Sequence, residues 1–408
     1  MQDNDYFQQL KSTFRKIGEA FDAVEGSRLI PSFSTITEEE YIPDPEQREE
    51  ENRLNLKDTW VRAAETKPSS SFTKGFCNAN SNLSFKFFVD GSVRSVRALD
   101  GIEGNFVYPI VIGQIGAASV TRSQETKPIK HLLDTNIVLL LPLSKLSDTL
   151  RNNLNRNLIG TTLENKLFDP LHWRDASGKD HYDNERDYGK LRSRASRRAK
   201  DLMADIEKSV VEKCVKNLSE DSELIAVDGS LFSLHKETQI SKDKLHHAIG
   251  ISKSFSMTPL ILMEEYLNRQ DCIRQLMNLK EGERTDAIEL HIDPDWVVSW
   301  YQRIRPREQV ESPLDGIVKV DVYPNNYPAC KSRDDRRKLS QSSEDWSNTW
   351  DMIAKLIYSE RMPIPFHEER WHVLLYPVYC SEKLLKSSFL SIEVLHGFCT
   401  QILSGLGF

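Results

Sequence analysis

The tetrapeptide Val-Asp-Gly-Ser occurs twice, at 89–92 and 227–230, each time entered from an apolar, β-prone run: Phe87-Phe88-Val89 and Ile225-Ala226-Val227. A carboxylate at a strand end is held in place by the sheet while its oxygens face solvent or a metal. Two such groups, Asp90 and Asp228, could share divalent cations, which prefer hard oxygen ligands. Making hairpin turns is also the commonest use of Asp-Gly, so either site alone reads as turn chemistry. The repetition and the matching lead-ins shift the reading toward function.

A third carboxylate comes from a charged helical stretch at about 185–216. There Ala195, Ala199, Met203, Glu207 and Val211 share one four-residue row, and Leu202, Ile206 and Val210 form the next. Glu207 therefore borders the apolar stripe, whereas Asp205 shares a row with Asp201, Ser209 and Lys213. A carboxylate at that border needs a partner: a metal, or one of the nearby arginines. Residues 190–200 carry six bases and no acid. Arg192, Arg194, Arg197 and Arg198 are accordingly candidate DNA contacts through phosphate, or equally a solvated face pairing with neighbouring acids. Lys253 follows a strand and precedes Ser254, where it could steady carboxylates or a phosphate. Tyr376-Pro377 and His372 lie near another expected strand end, where a structural aromatic is the ordinary use.

The elements that must position these groups are read from periodicity. A helix is expected over 6–24, where Phe7, Leu10, Phe14, Ile17 and Phe21 recur at helical spacing. Strands are expected at Phe85–Val89 (ending in the Asp90-Gly91 turn), Val93–Ala98, Phe106–Val120, Ile137–Leu143, Leu224–Val227, Ala248–Ile251, Ile317–Tyr323 and Val373–Tyr376. Further helices are expected at 346–358 and 382–404. Strands first, then helix, strand and helix, imply an α/β mixed sheet with helices packed on it. The Pro-containing acidic run 38–51 and Lys67–Ser71 mark soft boundaries. Residues 1–80 thus read as an N-terminal helical and acidic extension, and 81–408 as the main domain.

The chain has 408 residues and a formal charge of −7. The run 38–51, with eight acids and one arginine, carries that entire charge. A uniformly basic nucleic-acid coat is excluded, so any DNA-binding surface is local. The longest apolar run, Ile137–Leu141, stops at Pro142, and no membrane span is expected. The polar, acidic start Met1-Gln2-Asp3-Asn4-Asp5 lacks the pattern of a secretory signal. Six widely spaced cysteines with no Cys-x-x-Cys pair read as reduced thiols, which implies a cytoplasmic protein. No phosphate-binding glycine loop, dinucleotide fingerprint, zincin motif or nucleophile elbow is present.

In order along the chain, these pieces resemble the NurA nuclease family. The resemblance rests on Asp90-Gly91-Ser92, Glu207, Asp228-Gly229-Ser230-Leu231, Ile249-Gly250-Ile251-Ser252-Lys253-Ser254, Lys319-Val320-Asp321 and Tyr376-Pro377, and spans about residues 83–390. It implies a ribonuclease H-like core, with a mixed sheet flanked by helices. It also implies phosphodiester hydrolysis of DNA with manganese (or magnesium), two ions held by Asp90, Glu207 and Asp228. Lys253 and Tyr376 would complete the catalytic set. The family works as a homodimer docked on a hexameric HerA-type DNA-translocating ATPase, in DNA repair or antiviral defence. Residues 1–80, weakly matched, are the expected motor contact. The family's functional His, about eight residues after the Tyr, is here Leu384, flanked by Lys383 and Leu385. The alternative is a catalytically silent ribonuclease H-like module that binds nucleic acid or a motor, as Argonaute-type proteins do.

Overall fold

The computed structural model describes residues 2–31, 59–64, 73–75, 83–122, 127–174, 179–231, 245–255, 269–292, 295–325, 343–363 and 371–405. The acidic run 38–51 and Lys67–Ser71 lie outside these. In chain order the first elements are α1 (Gln2–Asp22), β1 (Ser27–Pro31), β2 (Thr59–Ala63) and β3 (Thr73–Gly75). Next come β4 (Ser84–Glu103), β5 (Phe106–Arg122), β6 (Pro128–Leu140), α2 (Asp148–Leu158), β7 (Leu167–Phe168), β8 (His172–Arg174) and β9 (Asp180–Tyr182). The long helix α3 (Tyr188–Lys216) leads into β10 (Glu223–Asp228), β11 (Ala248–Ser252) and α4 (Arg269–Asn278). The last part holds β12 (Glu283–Thr285), β13 (Ile288–Ile292), β14 (Asp295–Arg303), β15 (Ile317–Val322), α5 (Ser343–Ser359), α6 (Tyr376–Ser388) and α7 (Ile392–Ser404).

Among the described residues thirteen strands form one sheet, in the order β2-β13-β14-β15-β11-β10-β4-β5-β6-β7, with β1, β3 and β12 paired alongside. β4, β5 and β6 form an antiparallel meander. The chain then crosses through α3 to β10, which runs parallel to both β4 and β11. A meander followed by a helical crossover to parallel strands is a mixed α/β sheet consistent with a ribonuclease H-like fold. β15 and β14 extend it antiparallel from β11.

The two faces of the sheet are covered by different helices. On one, α3 presents Ala195, Ala199 and Leu202 to Val111, Ile115, Val138 and Leu140. Further along the same helix, Val210, Val211 and Cys214 meet Phe87, Val89, Ile225 and Val227. On the other, Trp350 and Ile353 of α5 and Val378 of α6 pack with Phe88, Trp300 and Val320. The apolar row of α1 (Leu10, Phe14, Ile17, Phe21) is buried with Val96, Leu99 and Ile110 of the meander and with Phe398 and Ile402 of α7. Phe14 and Phe398 stack at 4.6 Å. A Cβ at Gly18 would overlap the Ile402 carbonyl. Gly18→Ala is therefore expected to cost on the order of 2 kcal/mol, read as a lower melting temperature.

Three expectations are corrected. β4 does not end at Asp90-Gly91; it runs on, with Asp90 opposite Ala118 and Gly91 opposite Ala117, and turns at Gly104-Asn105. The partner strand there is built of Gly116, Ala117 and Ala118, so a ladder is available and the Asp-Gly pair stays extended. Val373–Tyr376 is not a strand. Residues 371–373 form a 3₁₀ turn and Tyr376-Pro377 starts α6, proline being suited to a helix's first turn. The stretch 382–404 is two helices, separated at Phe389–Ser391. Buried Gln114 fixes that break: its amide nitrogen donates to the Leu390 carbonyl and its oxygen accepts from the Leu390 N–H, both at 2.8 Å.

Candidate metal centre

Asp90 and Asp228 are brought side by side by strand register. β4 and β10 pair in parallel up to Val89–Val227, and the two aspartates follow that pair directly. Asp228 is where the sequence places it, at a strand end. Gly229 then takes φ +106°, a conformation that strains any other residue. Asp90 instead sits mid-strand and is 4% exposed. Ser230 of the second tetrapeptide and the Lys319-Val320-Asp321 segment act as struts. Ser230 donates to Asp321 Oδ2 at 2.7 Å and Ser299 to Asp321 Oδ1 at 2.6 Å, while Lys319 pairs with the same carboxylate. Asp321 is fully buried by these three donors, so Lys319-Val320-Asp321 anchors the loop that carries Asp228. Gly250 leaves room for that loop: a Cβ there would lie 2.8 Å from the Gly229 carbonyl oxygen.

Glu207 is buried at 7% exposure, while Asp205 is exposed and lies 3.5 Å from Lys208. The helix thus turns the face that its periodicity indicates. Gly91 makes the approach possible, since a Cβ there would overlap Met203 Sδ and sit 3.3 Å from Glu207 Oε1. The Gly91 backbone N–H donates to the Glu207 carboxylate. Lys253, at the end of β11, donates to Asp228 Oδ2 at 2.8 Å and lies 4.0 Å from Glu382 Oε2. Glu382 belongs to α6, on the sheet face opposite α3, and is held at 2.7 Å by Lys386 one turn on.

The electrostatics are those of crowded carboxylates. Burial pushes Asp90 well above the usual carboxylate range, and Asp228, Glu207 and Glu382 add to it against the opposing Lys253. Glu207 is pushed up to about 8 by burial and by Asp228, with the Gly91 N–H opposing. For Lys253 burial works against the charge, but Asp228, Asp90 and Glu382 outweigh it and hold the ammonium above its ordinary value. Glu382 is held below the ordinary value: burial is outweighed by the hydrogen bond from Lys386 and the charge of Lys253. Ionising all four carboxylates beside one ammonium would leave an excess of negative charge, which a hard divalent cation would offset. Among the described residues no three donors converge closely enough to hold a metal as they stand. Lys253 supplies the neutralising charge between Asp228 and Glu382. The donor set, oxygen throughout, fits magnesium or manganese in kind.

Of the sequence-predicted residues, Asp90, Glu207, Asp228 and Lys253 come together. Tyr376 opens α6, 41% exposed, with its side chain hydrogen-bonded to Cys380. Leu384 packs with the core beneath α6. Arg194, Arg197 and Arg198 line a separate groove along α3, Arg194 pairing with Asp183; Arg192 is half-buried. Glu382 was missed. Its row, with Val378 four residues before it, borders the buried Ser381 and Leu385, the same signal that singled out Glu207. An expected strand at 373–376 hid it by starting the helix at 382, where an acid is ordinary. Comparison of the chain with protein-family models gives no match, and comparison with curated proteins gives none either.

Proposed function

We propose that the protein is a divalent-metal-dependent deoxyribonuclease that hydrolyses phosphodiester bonds, with Asp90, Glu207, Asp228 and Glu382 as its acidic set. The observation that carries this reading is that four carboxylates, from two strands and from helices on opposite faces of the sheet, lie within electrostatic reach of one lysine, which pairs directly with Asp228. Bound manganese or magnesium, as two ions, would supply an activated water and neutralise the leaving oxygen. Asp90 and Asp228 are the ligands fixed by the sheet, and Glu207 is oriented by the Gly91 N–H. Lys253 balances charge beside Asp228 and Glu382, and can take part in holding the scissile phosphate. Among the described cysteines burial disfavours a thiolate, pushing Cys214 up to about 11, Cys399 up to about 12 and Cys380 above its ordinary value.

The partner reading rests on the family resemblance: a homodimer on a hexameric HerA-type ATPase, in DNA end processing or antiviral defence, within the cytoplasm. Residues 1–80 would make the motor contact, using surfaces other than the buried row of α1. Among the described residues no helix is long and apolar enough to cross a membrane. Alone, the protein should bind duplex DNA weakly, because its charge is negative and its bases are local. Processive degradation of long duplexes by the isolated chain at physiological salt would remove the need for a motor.

The deciding experiment is cleavage of linear and circular DNA with Mg²⁺ or Mn²⁺, with and without a co-purified ATPase. Metal-dependent loss of linear DNA supports the nuclease. A second reading, a catalytically silent binding module, is favoured by Lys253 standing between Asp228 and Glu382. That reading expects DNA or motor association with no cleavage in any metal.

A further inference from the structure

Beside α3, and apart from the acidic centre, the hairpin β8–β9 forms one wall of a groove of about 390 Å³. Its other wall is the helix face bearing Arg194, Arg197, Arg198 and Asp201, which recur at helical spacing. The size is that of a site for one nucleotide-sized group rather than for a duplex. Trp173 lines the groove; His181 stacks on one face of its ring at 4.5 Å, and the residue is still 46% exposed. Asp183 holds it in place, accepting from Trp173 Nε1 at 3.1 Å and pairing with Arg194.

The polar atoms of this groove are unusual in a second way. Ser193 Oγ, Arg194 Nε and Arg198 Nε are buried with no hydrogen-bond partner among the described residues, and all three residues line the groove. These atoms are closed to solvent as they stand, so a ligand in the groove would first meet the guanidinium ends of Arg197 and Arg198. Asp183 is committed to Arg194 and Trp173. Asp201 remains beside Arg197 and Arg198 as an exposed acceptor. A bare run of phosphates would be repelled by that carboxylate. A base carries N–H groups that it can accept from, and an aromatic ring stacks on any base face. The arginines meanwhile take phosphate.

We propose that the groove between Trp173 and the arginine face of α3 is a subsite for one unpaired nucleotide of a DNA strand. The base stacks on Trp173 and the flanking phosphate lies on Arg197 and Arg198. This deepens the nuclease reading and rests on it for the identity of the polymer as DNA. Nine residues of helix separate Arg198 from Glu207, roughly 14 Å at 1.5 Å per residue. That is about four stacked nucleotides at 3.4 Å each. The subsite would therefore hold a frayed or single strand a few nucleotides from the acidic centre.

The test uses the full chain in EDTA, so that no cleavage intervenes, with a fluorescent single-stranded 12-mer, a blunt duplex and AMP as probes. Binding of the single strand should exceed that of the duplex. Trp173→Ala should weaken it by about 5- to 150-fold, the range for one stacked base. Trp173→Phe, which keeps a stacking ring, should recover most of the loss. Arg197→Ala should weaken binding and lower the salt slope by about 1. Thermal melts of each variant separate lost binding from lost fold, and Trp173→Phe with Arg197→Ala suffices should Trp173→Ala unfold. Single-strand binding that is the same in Trp173→Phe, Trp173→Ala and Arg197→Ala as in the parent protein overturns the subsite and leaves the nuclease reading intact. AMP binding that depends on Trp173, without oligonucleotide binding, overturns it in favour of a free nucleotide. Absence of DNA binding together with absence of cleavage in Mn²⁺ overturns the nuclease reading itself.

Discussion

Asp90→Asn and Asp228→Asn should each reduce DNA cleavage in Mn²⁺ by at least about a hundredfold, because even partners one shell removed from a metal are worth about 10- to 100-fold. Both substitutions keep the side chain's volume and remove one negative charge. Asp90 is the sharper case. It is 4% exposed, and burial and three neighbouring carboxylates all disfavour its charge, with only Lys253 opposing. A residue kept there against that penalty is one whose charge is needed for something other than folding. Asp90→Asn should therefore melt, in EDTA, at or above the temperature of the parent protein while losing activity. Single-turnover cleavage and thermal melts, run on the same preparations, read both effects. Near-normal cleavage by either variant would show that the aspartates do not form the centre.

Local burial was legible in the sequence wherever one periodic pattern had one consequence. The row of α1 and the two apolar rows of α3 are buried as spaced, because a helix on a sheet exposes only one face to water. Asp228 at the end of β10 was legible for the same kind of reason, since its turn is local and Gly229 makes it. Asp90 was not. Its Asp-Gly pair has the composition of a turn, and what keeps it extended is the small-residue stretch of β5 beside it, a non-local fact. Tyr376-Pro377 misled differently, because X-Pro suits both an extended end and a helix start, and only the chain's return under the sheet selects the second. A helix begun at 382 would make Glu382 an ordinary first-turn acid, so its place on the inner border of α6 shows only once the helix starts at Tyr376. Gln114, which breaks α6 from α7 through Leu390, lies 276 residues away in the chain. No window of sequence could have found it.

The two carboxylates of α3 should separate in a pH-dependent stability measurement as well as in activity. Glu207 has its carboxyl raised from 4.5 to about 8 in the folded, metal-free protein, by burial first and then by Asp228. A carboxyl raised on folding binds its proton more tightly in the native state. It thus contributes stability that is fully present below about pH 4.5 and is lost as pH climbs toward 8. Glu207→Gln is neutral throughout and does not suffer that loss. In EDTA the variant should match the parent protein near pH 5 and exceed it at pH 8–9, by up to a few kcal/mol. Cleavage in Mn²⁺ should fall at least about a hundredfold in the same variant. Asp205→Asn, on an exposed residue facing Lys208, should shift stability by less than about 0.5 kcal/mol at either pH and leave cleavage unchanged. Melting curves at pH 5 and pH 9 in EDTA, beside cleavage rates in Mn²⁺, compare the pair. An inactive Asp205→Asn with an active Glu207→Gln would mean that the functional carboxylate of this helix lies on its solvent face, against the burial and the Gly91 hydrogen bond that single out Glu207.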